Sequence, residues 1–458
     1  MNSTANISTL AVVGAGPAGL MAALAAAGAG KRVMVFEQLP EPGVRLLATG
    51  GGHCNFTNTL AAEDFIRRFG ARRRFVAPAL QALDGRRLRR FLEERGVPSH
   101  SPDGFHVWPV SDSARSVRDA LLQDCRKQGV EFRFNSRVER LQISRGRVTG
   151  VMTARGPESA SGVVLAAGGA SYPGLGGGES GFNLARLAGH VIAPLCPALV
   201  PLVTRETWPA SLAGVSLARV AVSLESPVRR PKAATVSCSR GGNAVAAGGI
   251  HAVTGAATKI EVPMQQGETA AGSLLFTHRG ISGPAVLDIS GSVAAALMTR
   301  PAVGIVLDLT PDWTTEAWQG HLAMLRQERG ARTVLSMLAS VLPAALAQAV
   351  LANGPLGGSR DAAERIVARL SREQSRELIM LIKNLPLTIT GTEGFARAMV
   401  TKGGVSLAEV FPKTLESRLV RGPFFAGEVL DVDAPCGGFN LQWAFASGFL
   451  AARNLGNQ

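Results

Sequence analysis

Near the amino end, Gly14-Ala15-Gly16-Pro17-Ala18-Gly19 sets three glycines at G-x-G-x-x-G spacing, and Glu37 follows 23 residues after the first. Residues of these types at these intervals suit a dinucleotide. Gly14 allows a tight turn, Gly16 lets the backbone approach a pyrophosphate, and Gly19 lets the following helix pack close to the sheet. Pro17 and Ala18 complete the turn, and the helix after it offers free N–H groups and a partial positive charge to phosphate. A carboxylate at Glu37 can hydrogen-bond a ribose diol and would repel a 2′-phosphate, so NADP is not expected at this site.

A second set of groups lies far along the chain. An apolar strand over 163–167, including Ala167, runs into Gly168-Gly169, and Pro423-Phe424-Phe425-Ala426-Gly427-Glu428 reads as a strand entering a turn. Asp431 and Gly437-Gly438-Phe439-Asn440 come next, followed by a helix over 441–453. A helix start can stabilise negative charge at N1 and O2 of a reduced isoalloxazine, so these elements point to FAD rather than to a simple NAD dehydrogenase. No second G-x-G-x-x-G with a following carboxylate is present, and 174–178 lacks a preceding strand. NADH or NADPH would therefore act as a transient reductant within the substrate cavity; otherwise oxygen or another acceptor closes the cycle.

Flavin carries its own reactivity, so the protein need only bind, orient and exclude water. His53 is the acid–base candidate because its loop should touch the ring and imidazole titrates near neutral pH. Cys54 has no partner cysteine and reads as a packed residue. His278 and Arg279 are candidates for facing a substrate from a β-rich segment. No metal site is expected, because the five cysteines are scattered without Cys/His ligand spacing.

Five segments carry a family resemblance: RLLATGGGHCNFTN (45–58), WPVSDSA (108–114), LAAGGASYP (165–173), LLFTHRGISGPAVL (274–287) and a long stretch over 401–448. The chain resembles the three-domain bacterial flavoproteins that include aminoacetone oxidase and BaiN. The resemblance implies an α/β fold: a glutathione-reductase-type, Rossmann-like FAD-binding domain with an inserted β-rich, barrel-like domain and a small helical domain. It implies that Gly14, Gly16, Gly19, Glu37 and Gln38 contact the adenosine and pyrophosphate, with Val138 at the adenine. Arg45, Gly52, Asn55, Thr57 and Asn58 would form the loop beside the ribityl chain and ring. Gly168 and Gly169 would lie at the second turn. Gly427, Glu428, Asp431, Gly438, Phe439, Asn440 and Leu441 would face the ribityl chain and the pyrimidine edge. The family commonly carries Arg where this chain has His53.

These groups require a βαβ unit at 9–37, then helices over 84–95 and 113–128 and meander strands over 130–134, 138–144 and 147–153. The segments 195–224 and 302–309 read as β-rich. Helices are expected over 315–325, over 333–351 with a kink at Pro343, and over 360–381. The expected domains are 1–195 with 404–458 for FAD, 196–310 with 387–403 for the substrate, and 311–386 as the helical part. Within the second, 226–272 is rich in Ala, Gly, Thr and Ser and reads as an inserted loop.

Composition narrows the class. With 458 residues, 46% hydrophobic and 18% charged, the chain is neither a stapled miniature fold nor disordered. The net charge of +14 comes from 41 Arg and only 7 Lys, a balance that fits coding bias. Its basic runs lack interleaved Phe or Tyr, so no specific nucleic acid is expected. The uncharged stretch 10–30 reads as the nucleotide turn rather than a membrane span, and residues 1–10 lack the basic start of a signal peptide, so a cytoplasmic protein is expected. The resulting expectation is an FAD-dependent oxidoreductase moving hydride to or from a small organic substrate, by amine oxidation or C=C reduction. The alternatives are a flavin-dependent RNA-modifying protein and a flavin-binding protein without turnover.

Overall fold

A computed structural model describes residues 9–225, 268–327, 332–353 and 363–454. The apolar runs at the amino end form the centre of a parallel sheet. Its strands lie in the order Pro423–Phe425, Gly162–Leu165, Thr9–Val13, Arg32–Phe36, Glu131–Arg133. Helices Pro17–Gly28 and Phe439–Asn454 pack on it and its central strands are buried along nearly their whole length, which is why they read as continuous apolar runs rather than alternating ones. Strand 130–134, expected in the meander, is instead this sheet's edge, parallel to Arg32–Phe36. The meander proper is Val138–Ser144, Arg147–Thr153 and Gly156–Ser159, all antiparallel. The uncharged stretch 10–30 is a strand plus the helix Pro17–Gly28, and no helix among the described residues is long and apolar enough to cross a membrane.

The carboxyl-terminal helix, Phe439–Asn454, returns to this sheet and packs on Pro17–Gly28. A Cβ on Gly448 would stand 2.1 Å from the Ala18 carbonyl oxygen, so the two backbones touch where glycine alone fits.

The middle of the chain closes a six-stranded barrel in the order Leu202–Thr204, Gly280–Ser282, Thr269–Thr277, Ser216–Leu224, Val303–Asp308, Leu385–Thr392. The expected single return strand over 387–403 is two strands. Leu385–Thr392 belongs to the barrel, whereas Val400–Val405 pairs antiparallel with Ile192–Ala198 in a separate ribbon. The expected loop over 226–272 ends earlier than proposed, because Thr269 already opens a barrel strand; residues 226–267 lie outside those described.

Helix Pro284–Leu297 was not anticipated. Its Val286, Ile289 and Val293 face the barrel core, while Leu287 and Ala294 face the ribbon, so apolar residues lie on two faces and only the stripe of Pro284, Asp288 and Ser292 is less buried. The helical segment also differs from expectation. Pro343 breaks 333–351 into Val334–Ala339 and Ala344–Asn353, since proline cannot donate the bond that would join them. The helix expected over 360–381 begins only at Arg372, where Ser371 and Gln374 form a capping box. A short turn, Val367–Arg369, precedes it.

Candidate functional site

At the fingerprint each glycine has a distinct local reason. Gly14 has φ +100°, and a Cβ there would stand 2.6 Å from the Ala166 carbonyl oxygen. Gly19 would place its Cβ 1.9 Å from the Gly14 carbonyl oxygen. Gly16 differs, with nothing within 4 Å of its missing Cβ, so its backbone borders open space. It also caps the helix without a side-chain bond, followed by Pro17 and no acidic residue in the first turn, which leaves the end free for an anion.

The Glu37 carboxylate accepts the Ala15 N–H at 2.8 Å and the Leu39 N–H at 2.9 Å, and a carboxylate keeps lone pairs for a diol beyond these. Gly14, Gly16, Glu37, Gln38, Val138 and Ala167 line one groove with about 600 Å³ of empty space, partly open to solvent, and Arg45 closes one end.

Arg45 joins this groove to the second turn. Its guanidinium lies over Gly168, where a Cβ would stand 1.5 Å from Nη2, and it donates to the carbonyls of Ala167 and Gly169 at 3.3 Å each. Glu428 pairs with Arg45 at 3.4 Å and accepts the Thr401 N–H at 2.5 Å. Thr401 Oγ1 in turn accepts the N–H groups of Ala170 and Ser171 at 2.9 and 3.2 Å. Gly427 is tied to the carboxyl-terminal helix, accepting from Trp443 Nε1 at 3.2 Å and donating to Ser447 Oγ at 2.8 Å. Both glycine turns and this helix therefore converge, although 260 residues separate their primary-sequence positions at 168 and 428.

The loop 45–58 closes the same end. Gly50 and Gly51 are left-handed, and Trp108 covers Gly50. Gly52 has φ +100° and is half-buried. Asn55 Nδ2 donates to the carbonyls of Thr57 and Val107 at 2.9 and 3.1 Å, and Asn58 Nδ2 donates to the Gly437 carbonyl at 2.8 Å. A Cβ on Gly438 would stand 2.6 Å from the Thr57 carbonyl oxygen. Thr57 Oγ1 is buried without a hydrogen-bond partner in this structure.

Several residues expected at the ring have side chains directed into protein. Phe439 packs in the core at 4.6 Å from the Phe65 ring, Leu441 packs against that core, and Asn440 holds the residues ahead of its helix. Asp431 binds Arg72 through both its carbonyl and its carboxylate, at 2.5 and 2.7 Å.

The acid–base candidates are dispersed. His53 Nδ1 lies 3.0 Å from Asp112 Oδ2, its ring is edge-on to Trp108, and both members of the pair are more than half exposed. His278 and Arg279 lie exposed in the hairpin between Thr269–Thr277 and Gly280–Ser282. Cys54 is buried, and burial pushes its thiol up to about 12, which leaves it protonated and unreactive.

Other groups gather here that residue spacing did not single out. Arg72 bridges Asp431 and Asp433, Lys402 reaches Asp433 at 3.5 Å, and Asp288 accepts the Cys436 N–H at 2.7 Å. The arginine run at 72–74 was visible in sequence, but nothing local reveals which arginine turns inward.

A family described as the HI0933-like protein Rossmann domain matches residues 8–454. The chain is 32% identical over 452 residues to the 3-dehydro-bile acid delta(4,6)-reductase of Clostridium scindens, covering 97% of this chain and 98% of that protein. It is 29% identical over 453 residues to the ribosomal RNA dihydrouridine synthase of Haemophilus influenzae, covering 98% of each. The Escherichia coli protein of the same name is 28% identical over 448 residues, covering 97% of each. Two of these relatives take RNA as substrate by name, so the expectation of no nucleic-acid partner is not supported.

Proposed function

This chain belongs to the HI0933-like Rossmann family, and from that premise we propose that it is an FAD-dependent reductase of a carbon–carbon double bond conjugated to a carbonyl. The observation that carries the reading is that Arg45 links the groove lined by Gly14, Gly16 and Glu37 to the second glycine turn, where it also pairs with Glu428. The residues fit FAD: Gly16 faces open space at an uncapped helix end, and Glu37 lines the same groove. Bound FAD would supply the hydride chemistry. The protein's part is to hold the ribose diol on Glu37, the pyrophosphate on the start of Pro17–Gly28, and the ring end beside Arg45 and the 55–58 loop. NADH or NADPH is the proposed reductant, binding transiently in the substrate cavity.

One feature turns the choice toward reduction rather than amine oxidation. The names of the relatives, a delta(4,6)-reductase and dihydrouridine synthases, each denote saturation of a ring double bond. A small organic substrate would enter between the nucleotide-binding unit and the barrel.

A second reading, uridine within RNA, is favoured by the surface beside the site. Helices Ala62–Arg67, Arg73–Ala82 and Gly85–Glu93 expose Arg67, Arg68, Arg73, Arg74, Arg87 and Arg90. Arg72, from the same stretch, reaches Asp431. Such a surface would bind phosphates with steep salt dependence.

The test is anaerobic. FAD-loaded protein is reduced with NADH or NADPH and mixed with a 4,6-dien-3-one bile acid or with unmodified ribosomal RNA transcript. Reoxidation by the bile acid supports a small substrate, and reoxidation by the transcript supports the second reading. A reduced flavin that responds to oxygen but to neither probe would overturn the reductase assignment.

A further inference from the structure

Outside the cofactor groove, a second depression runs along the helix Ala114–Lys127, with about 1400 Å³ of empty space, part of it open solvent. The strap Pro40-Glu41-Pro42 lines it as well, and Glu41 borders both grooves, so the two adjoin there. Four guanidiniums, those of Arg95, Arg115, Arg118 and Arg126, line the depression together with two carboxylates, Glu41 and Asp119.

These arginines are of two kinds. Arg118 is buried and held by Asp119 at 2.7 Å and Glu41 at 3.8 Å, so it takes up both lining carboxylates. Arg95 bonds Asp124 at 2.7 Å and lies over the Phe91 ring, 3.5 Å from its centroid. Arg115 and Arg126 are exposed and, among the described residues, have neither an ion pair nor a side-chain hydrogen bond. They stand eleven residues apart on one helix, about three turns and 16 Å at 1.5 Å per residue, which returns both to the same face. The groove therefore keeps two unpaired positive charges in a row along its length.

Phe134 also lines the groove, with its ring stacked on Phe132 at a centroid distance of 5.6 Å and an angle of 11°. The arginine runs have no aromatic interleaved in sequence; the fold brings this ring to them from beyond the edge strand Glu131–Arg133. A positive groove that follows phosphates, with a ring on which a base can stack, is the composition that binds a single nucleic-acid strand. One end of the groove lies toward the proposed ring site. Arg115 is in the first turn of its helix, three residues after Asp112, which holds His53 of the loop 45–58.

On the RNA reading above, we propose that this groove holds the single-stranded RNA next to the target uridine, with Arg115 and Arg126 contacting phosphates and Phe134 stacking on a base. A strand on this path passes outside the strap, so it does not compete with FAD for Glu37 or for the start of Pro17–Gly28.

The experiment compares FAD-loaded unaltered protein with the double variant Arg115→Gln/Arg126→Gln and with Phe134→Ala. Arg372→Gln/Arg376→Gln, altering two exposed arginines of the helical segment, controls for charge alone. An unchanged flavin spectrum, with flavin reduction by NADH or NADPH within about threefold of the unaltered protein, shows that each variant folds and binds FAD. Binding of unmodified ribosomal RNA transcript is followed by fluorescence anisotropy at several salt concentrations. Each phosphate contact on a single strand contributes about 0.7 to the slope of log K against log salt. The groove double variant should therefore lose about 1.4 of slope and bind about 10- to 100-fold more weakly, and the control should show neither change. Phe134→Ala should weaken binding while keeping the slope. Ultraviolet cross-linking followed by peptide mass spectrometry should mark Phe134 or the helix that carries Arg115 and Arg126.

If the transcript binds and reoxidises the groove variant as it does the unaltered protein, the groove assignment falls while the RNA reading stands. Equal loss in the control, or cross-links confined to 62–93, also overturns the assignment. So does a groove variant that slows flavin reduction by NADH or NADPH and leaves RNA binding unchanged, since the groove would then serve the nicotinamide cofactor. If the transcript neither binds nor reoxidises the unaltered protein, both the assignment and the RNA reading fall.

Discussion

Single side chains here act mainly by ending or orienting backbone. Glu37 takes the N–H groups of Ala15 in the nucleotide turn and of Leu39, so its charge shapes the turn, and on the proposed reading it also receives the ribose. Hydrogen bonds to charged groups contribute about 1.5–3 kcal/mol, so Glu37→Gln should weaken FAD binding by about 10- to 100-fold, measured by flavin fluorescence quenching. Unchanged affinity would remove Glu37 from the site. His190 makes a different kind of prediction. Its side chain is fully buried between Glu409, 3.2 Å from Nδ1, and Ser417 Oγ, 2.8 Å from Nε2. Burial pulls its pKa below the ordinary value of 6.5, with Glu409 only partly opposing. The unfolded chain therefore takes up a proton that the folded one resists. The stability contribution is full above pH 6.5 and is lost as pH falls through and below it. Between pH 7.5 and 5, urea midpoints of the unaltered protein should fall more than those of His190→Gln. Equal falls would show that His190 titrates alike in both states.

Elements, rather than residues, bring the two turns together. The amino-terminal and carboxyl-terminal helices cross where Gly448 meets the Ala18 carbonyl, and the Gly427 turn rests on Ala18. Gly448→Ala must push these helices apart, an overpacking that costs about 1–3 kcal/mol. The expected outcome is a lower urea midpoint together with FAD loss, since the same displacement moves Gly427 and Glu428. A lower midpoint with FAD retained would mean that the turn does not depend on helix contact. Pro284–Leu297 is the element least legible beforehand. A helix with apolar residues on two faces carries only a weak 3.6-residue period, so periodicity had little to detect. The meander strand at 130–134 was legible as a strand, but its neighbour was not, because pairing is chosen by sheet packing rather than by the strand's own residues.

At the scale of the molecule the described residues form two large cores. One gathers buried residues between 10 and 188 and between 405 and 452; the other holds the barrel and the helical segment together, between 202 and 389. Trp318, Leu346 and Leu378 of the helices share that second core with Val222 and Ile305 of the barrel. Calorimetry should therefore show two transitions rather than three. FAD at a hundred times its Kd should raise only the first, by about 2.7 kcal/mol. A third transition would separate the helices from the barrel. What the sequence determined by itself was whatever depends on backbone conformation over a few residues. The nucleotide turn, its helix and the carboxylate 23 residues on follow from glycine's freedom and from strand length. Tertiary structure alone decided that Arg45 covers Gly168, that Arg72 turns to Asp431, and that Asp288 meets Cys436. These partners are distant in sequence, and no local period records a contact formed only when separate units pack.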